Sequence, residues 1–358
     1  DMYAKCGVLV KAQEVLKEMT HRDTVAWNAL IAGYVQHEHG HEALDCFASM
    51  QREGLSPNEV TFLCILKACG AIGAIDKGEE IHDEIIRGGF LEKKIGLGTS
   101  LVDMYAKCGA PLKAKEIFDE FEVRNIVSWN VIISGYAQYS YGEEALEWFQ
   151  RMQCESMLPN EVTFICILKA CRSTIAIMKG KEIHALVCVQ GFERDHVVGS
   201  SLVDMYCDCG FLKEAQQVFD KVRVKDVVIW TSLISGYTER GDGEKALICF
   251  EAMQLEGLLP NDVTFVCCLK ACGTIGAIEQ GREIHVEIVQ RRLLDMPLST
   301  ALVEMYARCG ALTKAQEVFD ELPDRDLVLW TTLLDGYALH GYGQKALECY
   351  ERMQFEGL

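Results

Sequence analysis

The feature that most constrains this chain is an internal repeat with a period of about 101 residues. The hexapeptide "PNEVTF" at 57–62 returns at 159–164 and, as "PNDVTF", at 260–265. Four tryptophans mark the period, at successive separations of 102, 101 and 100 residues: Trp27, Trp129, Trp230 and Trp330. A chain that repeats itself on this scale is built from stacked units rather than around one closed core.

Each period divides into three units, and each unit carries two helical patterns. The first-type unit reads "VAWNALIAGYVQ" and then "HEALDCFASMQREGLSPN", with apolar residues at helical spacing such as Trp27, Leu30 and Tyr34. The second-type unit reads "EVTFLCILKACG" and "DKGEEIHDEIIRGGF", and the third-type unit reads "SLVDMYAKCG" and "LKAKEIFDEF". Each unit is therefore predicted to be a helix-turn-helix hairpin.

Hairpins of this length bury both faces only by stacking on their neighbours, so we predict an all-α fold, a right-handed superhelical α-solenoid. One domain is predicted over residues 1–358, with the first helix of each hairpin on the concave face. The predicted units are a partial third-type unit (1–23), first-type units (24–58, 126–160, 227–261 and, incomplete, 327–358), second-type units (59–94, 161–195, 262–295) and third-type units (95–125, 196–226, 296–326).

The composition is typical of an ordered helical protein, with 49% hydrophobic residues and only 6 prolines. Most of the 17 cysteines lie in apolar helical patterns, where cysteine is a small buried hydrophobe, which favours a reducing compartment. No run of 18 apolar residues occurs, so no membrane span is expected. The chain begins inside a motif without a leader, and we therefore expect a piece of a longer protein.

The net charge of −18 argues against a protein that is held to nucleic acid mainly by a basic coat. It leaves room for a locally basic groove. A protein-interaction scaffold therefore remains an alternative at this point.

The three motifs, "WNALIAGY…EALDCFASMQREGLSPN", "TFLCILKAC…GEEIHDEIIRGGF" and "SLVDMYAKCG…AKEIFDEF", resemble in order those of plant pentatricopeptide repeat proteins of the PLS subclass. The resemblance covers all 358 residues. Tetratricopeptide repeats have a uniform period and fit poorly. The resemblance implies single-stranded RNA binding, one base per repeat, in a plastid or mitochondrion, as part of an RNA-processing or C-to-U editing factor. It implies no catalysis by this tract, no cofactor and no small-molecule substrate.

The resemblance also assigns two base-reading residues to each repeat, namely the residue after the tryptophan or its equivalent and the last residue of the repeat. The pairs are Asn28 with Asn58 and Asn130 with Asn160 (pyrimidine), Thr231 with Asn261 and Thr99 with Asn125 (adenine), and Ser200 with Asp226 and Thr300 with Asp326 (guanine), while Thr331 has no terminal partner. The implied target is 5′-Y-n-A-Y-n-G-A-n-G-3′, in which Y is a pyrimidine and n is unread. The alternative for these polar residues is helix capping.

The second-type units depart from the pattern, since Leu63, Ile165 and Val266 stand at the reading position. An aliphatic side chain cannot hydrogen-bond a base edge. These units are predicted to be spacers or a docking site for an editing-factor partner protein. Their terminal residues are Lys94, Asp195 and Asp295.

Two further sets of residues follow from the same register. The family sandwiches each base with an aliphatic residue three positions before the reader, here Val25, Val127, Val197 and Val228, whereas Gly96 and Pro297 depart from the pattern. The lysines of "LKAC" lie four positions after the second-type reading position and are candidates for phosphate contacts or for helix C-terminal stabilisation: Lys67, Lys169 and Lys270.

Two recurrent motifs are not interpreted as catalytic or metal-binding sites. "HDE" at 82–84 and "HVE" at 285–287 match half of a zinc deaminase signature, but no Pro-Cys-x-x-Cys follows, and no metal is expected. "DMYAKCG" and its copies are predicted to end the first helix of third-type units. Four methionines, and the tyrosine after each, are predicted to face the core: Met2, Met104, Met205 and Met305.

Overall fold

The computed structural model describes residues 2–91, 95–139, 141–322 and 325–356, and every extended regular element within these ranges is a helix. None of the described helices is long and apolar enough to cross a membrane. The α-helices are α1 (Met2–Lys5), α2 (Leu9–Glu18), α3 (Thr24–Gln36), α4 (Gly40–Arg52), α5 (Glu59–Ile72), α6 (Ile75–Arg87), α7 (Ile95–Lys107), α8 (Pro111–Asp119), α9 (Ile126–Gln138), α10 (Gly142–Cys154), α11 (Glu161–Thr174), α12 (Ile177–Val189), α13 (His196–Asp208), α14 (Leu212–Lys221), α15 (Val227–Glu239), α16 (Gly243–Leu255), α17 (Asp262–Ile275), α18 (Ile278–Gln290), α19 (Met296–Arg308), α20 (Leu312–Glu321), α21 (Leu327–Leu339) and α22 (Gly343–Phe355).

Local sequence sets the ends of these helices. The side chain of Asp23 accepts a hydrogen bond from the Ala26 backbone N–H at 2.8 Å and so caps α3. The third-type first helices stop at glycines with a left-handed backbone, for example Gly109 at φ +75°. A side chain would be strained there, so glycine ends the helix and turns the chain into the second helix of the hairpin.

The chain folds as two compact units, residues 1–174 and residues 175–358. In the first unit the odd-numbered helices α3, α5, α7, α9 and α11 pack side by side in chain order. In the second unit α13, α15, α17, α19 and α21 do the same, and the even-numbered helices pack on the odd-numbered ones. Each unit is thus a two-layered stack of helical hairpins, which confirms the predicted all-α solenoid class.

Small residues allow neighbouring helices to approach closely. A Cβ on Gly135 of α9 would lie 2.4 Å from the Cβ of Ala106 on α7. A Cβ on Gly180 of α12 would lie 2.6 Å from Sδ of Met205 on α13. Glycine at these positions therefore allows approaches that no other residue would allow without rearrangement.

The predicted core methionines are buried in three of the four copies, together with the tyrosine that follows each: Met104, Met205 and Met305. The prediction was wrong for Met2, whose side chain is 67% exposed. Met104, Met205 and Met305 each pack on a glycine of a second-type helix, and among the described residues no such helix lies against Met2.

Three recurrent histidines join second-type to third-type hairpins in what we call the His–Tyr pairs. Nδ1 of His82 lies 3.0 Å from the Tyr105 hydroxyl, and the pairs His184–Tyr206 and His285–Tyr306 repeat this contact at 2.9 and 3.0 Å. Burial lowers the pKa of all three histidines and raises the pKa of Tyr105 to about 12. The histidines of "HDE" and "HVE" thus have a packing role.

Candidate nucleic-acid interface

The terminal residue of each first-type and third-type unit caps the odd-numbered helix that follows it. In all six units its side-chain oxygen accepts a hydrogen bond from a backbone N–H three residues later, at 2.8–3.1 Å. The six residues are Asn58, Asn125, Asn160, Asp226, Asn261 and Asp326. Capping therefore does not exclude the predicted base reading, because a capping residue can also contact the reader of the preceding hairpin, as it does in both Asn/Asn pairs.

The two predicted Asn/Asn pairs meet through their side chains. Nδ2 of Asn28 donates to Oδ1 of Asn58 at 3.0 Å, and Nδ2 of Asn130 donates to Oδ1 of Asn160 at the same distance. Asn28 is only 7% exposed, whereas Asn58 is exposed. The terminal asparagine is thus the more accessible member of the pair.

A threonine that sequence reasoning missed completes each first-type site. Thr61 Oγ donates to Oδ1 of Asn28 at 2.7 Å, and Thr163 Oγ donates to Oδ1 of Asn130 at 2.6 Å. In the third copy the hydroxyls of Thr231 and Thr264 lie 2.7 Å apart. The signal was present in the repeated "PNEVTF" and "PNDVTF", whose threonine always occupies this register.

The third-type readers make no side-chain bond to the next hairpin in the described ranges, and each hydroxyl donates to a carbonyl of its own helix. Thr99 donates to Ile95 O at 2.8 Å, and Ser200 donates to His196 O at 2.8 Å. Thr300 makes a similar bond to Met296 O at 2.9 Å. Thr331, the reader of the incomplete first-type unit, donates to Val328 O at 2.9 Å. In the described ranges Thr99, Ser200 and Thr300 form no hydrogen bond with the terminal residues of their units.

The Asp226 carboxylate is held on two sides. Its Oδ1 accepts from the Ile229 N–H at 3.1 Å, and its Oδ2 lies 3.9 Å from Nε2 of His196. Its side chain nevertheless remains 44% exposed. The carboxylate therefore keeps acceptor capacity toward solvent.

Three of the four predicted sandwich valines are among the exposed apolar side chains of the odd-numbered helices. Val25 is 71% exposed and Val127 and Val228 are each 57% exposed, while Val197 is half-buried. Sequence reasoning missed the equivalent second-type valines, which are 52%, 49% and 58% exposed: Val60, Val162 and Val263. Second-type hairpins thus carry the same exposed aliphatic residue as first-type ones.

The second-type reading positions are aliphatic and half-buried, as Leu63, Ile165 and Val266 show. Asp195 and Asp295 cap the helices that follow them. Lys94 lies outside the described residues.

Charge is distributed unevenly between the two helix layers. Helices α3 and α9 contain no charged residue, whereas α6 and α10 are rich in carboxylates. The LKAC lysines are exposed on odd-numbered helices, and within the part of the chain that the structure describes none of them forms an ion pair: Lys67, Lys169 and Lys270. The net charge of −18 is therefore not concentrated in the odd-numbered helices, which carry the predicted readers.

Comparison with known proteins matches these hairpins to repeat-family models. The models described as PPR repeat family and PPR repeat together match more than half of the chain. The first matches residues 22–71, 124–173 and 225–274, and the second matches residues 1–23, 99–126, 200–227, 299–327 and 328–358.

Three relatives from Arabidopsis thaliana are similar along nearly all of this chain. They are pentatricopeptide repeat-containing protein At4g18520, chloroplastic (36% identity over 99% of this chain and 58% of the relative), At1g11290, chloroplastic (37%, 99% and 44%), and At3g02330, mitochondrial (37%, 95% and 40%). The chain thus spans about half the length of the curated relatives that it matches.

A solved structure has the same fold. The pentatricopeptide repeat protein PPR10 in complex with an 18-nt psaJ RNA element matches with a TM-score of 0.82 and 20% identity, over 99% of this chain and 54% of that one. The same hairpins that carry the capped terminal residues and their readers are those that the repeat models match. This chain belongs to the pentatricopeptide repeat family.

Proposed function

We propose that this chain binds single-stranded RNA sequence-selectively, one base per repeat, as the target-recognition tract of an organellar RNA-processing or C-to-U editing factor of the PLS subclass. The observation that carries the proposal is the direct side-chain bond between reader and terminal residue in both Asn/Asn pairs. PPR10, which shares the fold, was crystallised with an RNA element. The named relatives are chloroplastic or mitochondrial, which supports a plastid or a mitochondrion as the location.

The chemistry of the Asn/Asn pairs favours cytosine. Oδ1 of Asn58 accepts from Asn28 and from the Thr61 backbone, while its Nδ2 makes no hydrogen bond within the described ranges. The accessible groups of the pair are therefore N–H donors. Cytosine offers N3 and O2 as adjacent acceptors, whereas uracil places an N–H donor at N3, so cytosine should be preferred over uracil.

The other pairs suit purines. Thr231 donates to the Val227 carbonyl at 2.7 Å, which leaves its oxygen as an acceptor for the amino group of adenine, and Nδ2 of Asn261 can donate to N1. For Ser200 and Asp226, the exposed carboxylate complements the N1–H and amino donors of guanine. Thr300 with Asp326 is assigned guanine and Thr99 with Asn125 adenine, and the target remains 5′-Y-n-A-Y-n-G-A-n-G-3′.

The exposed valines and the LKAC lysines contribute affinity for RNA without distinguishing one base from another. An aliphatic side chain against a base face contributes by stacking, typically about 1–3 kcal/mol per base. Because second-type hairpins have Val60, Val162 and Val263 but no polar reader, they hold a base without selecting it. A lysine without an acidic partner is available to a phosphate.

The experiment is a binding titration of this chain with RNA that carries the target against a scrambled RNA at physiological salt. Preference for the target is the expected result, and equal affinity would refute the proposal. Ser200→Asn should shift preference at the sixth base from guanine toward uracil, while the ninth base, read by Thr300 and Asp326, serves as the internal control.

The second candidate is recognition that depends on a partner protein docked on the second-type hairpins. The observation in its favour is the aliphatic side chain at all three second-type reading positions. Target selectivity that appears only after an editing-factor partner is added would favour this candidate over autonomous binding.

A further inference from the structure

We infer that Thr61 and Thr163 are positioning residues that set the base preference of the hairpin preceding them, by orienting the reader amide. This inference rests on the proposed RNA-binding function and names a third residue for each first-type site. The three residues of a site come from two hairpins, since the threonine belongs to the second-type hairpin. For the second copy the set is Asn130, Asn160 and Thr163.

Hydrogen counting fixes the direction of each bond at this site. Oγ of Thr163 accepts from the Asn160 backbone N–H at 3.1 Å and has a single hydrogen to donate. Oδ1 of Asn160 already accepts from the Thr163 N–H and from Nδ2 of Asn130, both at 3.0 Å. Oδ1 of Asn160 also lies within 2.9 Å of the hydroxyl, but Oδ1 of Asn130 is nearer, at 2.6 Å, and has no other side-chain donor among the described residues. The threonine hydrogen therefore goes to Oδ1 of Asn130.

This closed ring allows only one orientation of the reader amide. If the Asn130 amide turned over, its NH₂ would face Oγ of Thr163 and its oxygen would face Oδ1 of Asn160. Oγ could accept the first contact with its second lone pair, but Oδ1 of Asn130 would then lose its short bond from the hydroxyl. The second contact would place two acceptors against each other without a hydrogen. Thr163 is fully buried, so no water replaces its hydroxyl. The second Nδ2 hydrogen of Asn130 and the NH₂ group of Asn160 then present only N–H donors to a base.

The first copy repeats the ring. Thr61 Oγ lies 2.7 Å from Oδ1 of Asn28, accepts from Asn58 N at 3.1 Å and is likewise fully buried. Third-type readers have no such clamp, because the next hairpin has Ala26, Ser128, Ile229 or Leu329 in this register. Ser128 bonds to Asn125 instead of reaching Thr99. The clamp is therefore specific to the junction between first-type and second-type hairpins.

Thr163→Val tests the inference, because valine keeps the shape of threonine and removes only the hydroxyl. Affinity is measured for RNAs that carry either cytosine or uracil at the fourth base, with all other bases unchanged. We expect the cytosine-to-uracil affinity ratio to fall by about tenfold, the effect of about one hydrogen bond. Thr163→Ser retains the hydroxyl and should keep the ratio of the parent chain.

Thr61→Val is the matched variant, since it should change the ratio at the first base and leave the fourth base alone. A ratio of affinities is independent of the active fraction, so partial unfolding would lower both affinities without moving it. An unchanged ratio in Thr163→Val, or equal losses in the Ser and Val variants, would overturn the inference while the RNA-binding function stands. A parent chain without any preference among RNAs would overturn the proposed function and this inference with it.

Discussion

Replacement of Gly135 by alanine tests how closely the odd-numbered helices must approach. A Cβ on Gly135 would lie 2.4 Å from the Cβ of Ala106, and an ordinary contact of this kind begins at 3.4 Å. Helices α7 and α9 would therefore have to move apart by about 1 Å. Ala106 is fully rigid, since a methyl group on the backbone has no rotamer that would relieve the overlap.

Two opposing contributions set the expected change in the free energy of unfolding. Overpacking of a close-packed contact costs about 1–3 kcal/mol. Alanine is favoured over glycine inside a helix by about 1 kcal/mol, which offsets part of that cost. We expect Gly135→Ala to lower the free energy of unfolding by about 1–2 kcal/mol in a urea titration followed by circular dichroism.

Gly96→Ala is the matched control, because a Cβ at Gly96 of α7 meets no heavy atom within 4 Å. It should not destabilise the protein. The double variant Gly135→Ala, Ala106→Gly removes the overlapping methyl, and its cycle should show a favourable coupling of about 1 kcal/mol or more. An unchanged urea midpoint for Gly135→Ala, or a coupling near zero, would refute the packing argument.

Three further predictions concern pH, stacking and phosphate contacts. Lowering the pH from about 7.5 to about 5.5 should reduce the free energy of unfolding, because the histidines of the His–Tyr pairs have a lowered pKa when folded and the unfolded chain therefore takes up protons first, below about pH 6.5. Replacement of all three histidines by glutamine should weaken the dependence of the unfolding free energy on pH. An unchanged slope of unfolding free energy against pH would contradict this prediction. Gly96→Val adds an aliphatic side chain in open space at the sandwich register and should tighten target RNA binding by about tenfold in a titration, whereas no gain would argue against sandwiching there. Alanine at all three LKAC lysines should reduce the slope of log affinity against log salt by about 2, and an unchanged slope would exclude phosphate contacts.

Much of the architecture is encoded locally and could be predicted from the residues alone. Each terminal Asn or Asp directly precedes an apolar helical pattern, and a side-chain cap at that point depends only on the next three residues. The glycine after each "DMYAKC" copy ends a helix for an equally local reason. The period and the hairpins follow from such signals, because each involves neighbours in the chain.

The partners of the readers could not be predicted in this way. Thr99 and Thr231 stand in the same register, yet among the described residues the Thr99 hydroxyl bonds only to its own helix, whereas the Thr231 hydroxyl meets Thr264. Asn28 joins residues 30 and 33 positions further along the chain. A hydrogen bond tolerates a change of only a few tenths of an ångström in the distance between donor and acceptor. Between hairpins that distance is set by how closely the two hairpins stack.

The sequence by itself therefore determined the repeat, the helix ends and the positions that are proposed to read bases. Only the tertiary structure decided that Thr61 and Thr163 bond to the reader amides and that Val60, Val162 and Val263 are exposed. The physical reason is that capping is a contact within one turn of the chain. Burial and side-chain pairing depend instead on which neighbouring hairpin is present and how near it lies.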